Sequence, residues 1–126
     1  MQLHDIKTIC CIGAGLIGSS WATLYARFDL EVRLYDPFEE SLKSAEKKIR
    51  DNYEVYVRNG FMEENEAKLA LSKIKYFSEL EPALRGAQFI QESVPERLDL
   101  KRELVKKIDD LNFEAIVCSS TSGLNI

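Results

Sequence analysis

Apolar residues along this chain form two alternating textures: short clustered runs, and longer stretches in which they recur every three or four positions. Lys7–Ile12, Glu31–Tyr35, Ile74–Phe77, Ala87–Glu92 and Ala115–Cys118 are of the first kind and predict strands. Helical spacing fills the gaps. Leu16–Phe28 predicts a first helix, with Trp21, Leu24, Tyr25 and Phe28 as its core stripe. Pro37 suits a helix start, so Phe38 to about Arg58 predicts a long charged helix that Asn59-Gly60 ends. Phe61-Met62-Glu63-Glu64 opens another, to about Leu71. Glu79–Arg85 is a short helical turn closed by Gly86. Glu96–Leu111 is a last helix, with Leu98, Leu100, Leu104, Val105, Ile108 and Leu111 facing inward. Strands that alternate with helices predict a parallel sheet covered on both faces. Right-handed crossovers then give strand order 3-2-1-4-5 in a doubly wound α/β domain, with a helical hairpin inserted after strand 2.

One turn stands out chemically. The first strand runs into Gly13-Ala14-Gly15-Leu16-Ile17-Gly18, and the second ends on Asp36, 23 positions after Gly13. A GxGxxG string alone is weak, but here it lies between a strand and a helix, as dinucleotide binding requires. Gly13 permits the tight turn, Gly15 lets the backbone approach a pyrophosphate, and Gly18 lets helix and strand pack closely. The helix N-terminus stabilises phosphate charge. Asp36 would accept hydrogen bonds from the adenosine ribose and repel a 2′-phosphate. Pro37, Phe38 and Glu39 bring no cation, so NAD is expected rather than NADP.

The 126 residues suit one domain, 1–126, and are short for a complete dehydrogenase. A net charge of −4 argues against a nucleic-acid partner. No apolar run is long enough to cross a bilayer and the first residues do not form a signal peptide, so a cytoplasmic setting is expected. Cys10, Cys11 and Cys118 lie in strand-like runs without metal-binding spacing, which predicts buried, reduced thiols.

In an open parallel sheet, ligands lie beyond the carboxyl ends of the strands, where the strand order reverses. Gly13–Gly18, Glu92–Lys101 and Ser119–Gly123 therefore converge. On spacing alone, Glu96 equally suits a helix dipole, Lys101 a solvated surface, and Ser120, Thr121 and Ser122 a helix cap.

Three segments resemble the amino-terminal NAD-binding domain of the 3-hydroxyacyl-CoA dehydrogenase family: Ile12–Gly18 with Asp36, Glu92–Leu104, and Ser119–Leu124. Their wording is closest to the branch that contains carnitine dehydrogenase and lambda-crystallin. Ser120 and Gly123 depart from the Asn-Thr-Ser-Ser usual among the fatty-acid enzymes. The resemblance implies a Rossmann-type fold, NAD as cofactor, and hydride transfer with a 3-hydroxy acid or acyl-CoA derivative. It implies that Glu96 and Lys101 contact the nicotinamide half, and that Ser122 bonds the substrate oxygen as a catalytic residue. It further implies a general-base histidine and a helical, dimer-forming domain downstream of this chain, whose only histidine is His4. The chain alone is then expected to be inactive, the parent enzyme a homodimer. Two other classes are a stand-alone NAD-sensing module and a structural protein on a dehydrogenase fold.

Overall fold

The computed structural model describes residues 6–93, 98–112 and 115–119, with backbone only at 98–101 and 112. The elements are β1 (Thr8–Ile12), α1 (Leu16–Ala26), β2 (Glu31–Tyr35), α2 (Glu39–Arg58), α3 (Glu64–Ser72), β3 (Ile74–Phe77), α4 (Leu80–Leu84), β4 (Phe89–Glu92), α5 (Leu98–Asn112) and β5 (Ile116–Ser119). All strand pairs are parallel, in the order β3-β2-β1-β4-β5. Both the alternation and the order agree with the sequence pattern.

β1 shows why its run is apolar throughout. Alternate side chains point to opposite faces of a strand, and each face of this one meets a core. Ile9 and Cys11 join Val32 and Leu34 in the core shared with α1, α2 and α3. Cys10 and Ile12 join Ile90, Ala83, Leu84 and Ile108 on the other face. The inserted hairpin belongs to the first face. Leu42, Ala45, Ile49 and Tyr53 form the inward stripe of α2, and Tyr53 Oη donates to the carbonyl of Thr23 at 2.6 Å.

Three expectations need correction. The buried residues of α1 are Gly18, Ser19, Ala22, Thr23 and Ala26, whereas Leu24 and Phe28 are exposed and Trp21 and Tyr25 half-buried. Small residues line the inner face because α1 approaches β1 too closely for large ones. On α5, Ile108 is buried and Leu104 half-buried, but Val105 and Leu111 are exposed. Cys118 is exposed too, because β5 is an edge strand exposed along its whole length. Cys10 and Cys11 are buried as expected. Burial pushes the Cys10 thiol up to about 12 and raises that of Cys11, which keeps both protonated and inert.

Candidate functional site

β1 and β4 are neighbours although two strands, β2 and β3, separate them in sequence, so the chain leaves them in opposite directions from a shared crevice. The two ends are tied together, Ser93 N–H donating to the carbonyl of Ile12 at 2.8 Å. The glycine turn opens at this crevice.

Its three glycines have separate physical reasons. Gly13 has φ +102°, a left-handed conformation in which a side chain would be strained, and its N–H donates to Tyr35 at 2.8 Å. Gly18 faces the turn so closely that an added Cβ would lie 1.7 Å from the Gly13 carbonyl oxygen. Gly15 caps α1 in an extended conformation, and a Cβ added there would meet nothing within 4 Å. Open space therefore lies before the start of an 11-residue helix, whose first N–H groups lack intrahelical partners. An anion placed there meets several donors and the positive end of the helix dipole.

Asp36 follows β2 and is joined to this turn. Its Oδ2 accepts from Ala14 N–H at 3.0 Å and its Oδ1 from Phe38 N–H at 2.9 Å. The carboxyl group is thereby held beside the turn, and each oxygen keeps lone-pair capacity for a diol. Its own N–H donates to Phe77 at 3.1 Å, fixing the end of β2 against β3. Gly13, Ala14, Gly15, Leu16, Ile17, Gly18 and Asp36 thus come together as expected. Leu16 and Ile17 expose their side chains on the first turn of α1. Glu96 and Ser122 lie outside the described residues, as does His4; Lys101 is placed on α5 by its backbone alone.

Two residues that open the converging segments Glu92–Lys101 and Ser119–Gly123, but were given no role of their own, also stand at the crevice. Glu92 ends β4 with 5% exposure, and Ser119 Oγ donates to its Oε2 at 2.6 Å. Behind them, buried Gln91 accepts from Tyr25 Oη at 2.8 Å, linking α1 to β4. The available signal was a consecutive Gln-Glu pair closing a buried strand. The hairpin carries a separate groove of about 350 Å³ between α2 and α3, with Arg50, Glu54, Arg58 and Lys68 among its lining.

The order reversal, the three differently constrained glycines and the anchored carboxylate define a Rossmann-type dinucleotide-binding domain. Residues 8–126 match the NAD-binding domain of 3-hydroxyacyl-CoA dehydrogenase, and the chain belongs to that family. It is 36% identical over 123 residues to an L-carnitine dehydrogenase from Pseudomonas sp., covering 97% of this chain and 37% of that protein. A lambda-crystallin homolog from Bos taurus is 35% identical over 116 residues, covering 91% and 36% respectively. Crystalline 3-hydroxybutyryl-CoA dehydrogenase from Escherichia coli superimposes with a TM-score of 0.91 at 24% identity, over 96% of this chain and 26% of that one. The chain thus spans little more than a third of the length of these two curated relatives. The family's domain binds NAD, and the open cradle at Gly15 with the carboxylate at Asp36 fits that cofactor.

Proposed function

We propose that this chain is the amino-terminal, cofactor-holding part of a longer NAD-dependent dehydrogenase acting on a 3-hydroxy acid or its acyl derivative. The observation that carries the reading is the Asp36 carboxylate, bonded to Ala14 and Phe38 beside the open cradle at Gly15. Asp36 orients the adenosine ribose, and the turn with the start of α1 holds the pyrophosphate. When bound, NAD supplies the hydride acceptor. Glu96 and Lys101 then order the nicotinamide half, and Ser122 orients the reacting oxygen, as the family resemblance implies. A histidine beyond this chain removes the hydroxyl proton, and a further helical domain closes the site and forms a homodimer. Among the described residues no helix is long and apolar enough to cross a membrane. A cytoplasmic enzyme is proposed on the same reading.

Calorimetric titration of the chain with NAD and NADP tests the cofactor reading. NAD should bind more tightly, because a 2′-phosphate would meet the fixed Asp36 carboxylate. Asp36→Ala should weaken NAD by about 1–3 kcal/mol, the scale of a lost charged acceptor, and narrow the gap between the cofactors. Equal or tighter NADP binding by the parent chain would overturn it.

A further inference from the structure

Glu92 is a side chain able to carry charge, yet it is 5% exposed. On the same face of the sheet, the residue two positions earlier is Ile90, a member of the apolar core. Burying a carboxyl group in such surroundings costs free energy unless hydrogen bonds compensate. Here Ser119 Oγ donates to it at 2.6 Å, across 27 residues of sequence. Strand register sets Ile12 beside Glu92 and Glu92 beside Ser119, so the three terminal residues of β1, β4 and β5 form one row. The row lies along the carboxyl edge of the sheet.

Asp36 lies beyond β2 and the glycine turn beyond β1. For a dinucleotide with its ribose at the first and its pyrophosphate at the second, the ends of β4 and β5 come next along the described sheet to carry its remaining half. Those ends are joined by the side chains of Glu92 and Ser119. We propose that Glu92, acting through the Ser119 hydroxyl, is a positioning residue for the nicotinamide half of the cofactor. The bond fixes the end of edge strand β5 against the end of β4, so that both strand ends are held at set points on the nicotinamide side. This inference rests on the NAD reading above.

Titrations of the 126-residue chain with NAD and with ADP test it, since ADP lacks the nicotinamide half. Glu92→Ala and Ser119→Ala should each weaken NAD roughly ten-fold or more, the scale of one hydrogen bond to a charged group. ADP affinity should stay within about two-fold of the parent, as for a site left undisturbed. Glu92→Gln should bind NAD like the parent, because its amide oxygen still accepts from Ser119. A merely structural role would lower the melting temperature and weaken both ligands together, which would overturn the proposal. Unchanged NAD affinity in both alanine variants would overturn it too. So would a Glu92→Gln variant as weak as Glu92→Ala, which would place the effect in the charge and not in the bond. Ser119→Ala alters an exposed edge residue and decides the matter even where Glu92→Ala does not fold. A parent chain that binds neither ligand would instead refute the NAD reading itself.

Discussion

The three glycines of the turn look alike in sequence, but the structure constrains each differently, and substitutions should separate them. Gly15 has φ −74° and ψ −164°, a conformation open to any residue, with clear space where its Cβ would project. Gly15→Val should therefore fold normally and fail to bind NAD, since the new side chain fills the pyrophosphate cradle. Gly13 at φ +102° is another matter. A valine there should cost about 1–3 kcal/mol of backbone strain, so binding and melting temperature fall together. Gly18→Ala should destabilise too, because its Cβ would meet a backbone oxygen that cannot swing aside and α1 would have to move off β1. Calorimetric melting alongside NAD titration checks the series. Normal NAD binding by Gly15→Val would show that the cofactor does not cross this turn. The glycine spacing and Asp36 were legible in sequence because turn, helix start and strand end are local features. Glu92 and Ser119 were legible only as the starts of converging segments, and the bond between them was not, because it depends on β4 and β5 lying side by side.

At the scale of elements, a count of apolar positions recovers which segments are helical but misjudges the inner face of α1. Trp21, Leu24, Tyr25 and Phe28 have helical spacing, yet the helix buries Gly18, Ser19, Ala22, Thr23 and Ala26. The cause is the close contact at Gly18, which draws the helix down until only small residues fit. The aromatics are displaced to the flank, where Trp21 stacks on Tyr25 with ring centroids 5.4 Å apart. Spacing rewards large apolar residues and has no measure of interhelical distance or of helix–sheet depth. Two substitutions separate the readings. Ala22 is 0% exposed, so Ala22→Leu should overpack the contact and cost about 1–3 kcal/mol. Phe28 is 66% exposed, and Phe28→Ser should change stability by no more than about 0.5 kcal/mol. Denaturant unfolding of both decides it; the opposite order would restore the aromatic stripe to the core. On α5 the same limit applies, since Val105 and Leu111 fit the spacing but are exposed.

For the molecule as a whole, the sheet order places everything that binds along one edge and leaves the chemistry to be completed there. The described residues supply a cradle at Gly15, a diol acceptor at Asp36 and a bonded pair at Glu92 and Ser119. In the reading proposed above, these bind and position the cofactor. Proton removal from a hydroxyl calls for a group poised near the working pH. The thiols of Cys10 and Cys11 are held protonated by burial, and burial likewise raises Tyr25, Tyr53 and Tyr76. The single histidine of the sequence, His4, precedes β1 in the chain, whereas the glycine turn follows it. We therefore expect the 126-residue chain to bind NAD without turning it over. Supplied with NAD and 3-hydroxybutyryl-CoA, L-carnitine or L-gulonate, it should give no NADH above background. A longer chain that carries a downstream histidine and a domain over the nicotinamide should give NADH with at least one of the three. Water exclusion and the downstream base would then act together, because closing the site also strengthens each electrostatic contact within it. Sustained NADH production by the 126 residues alone would show that the base lies among them and that the cofactor edge is a complete active site.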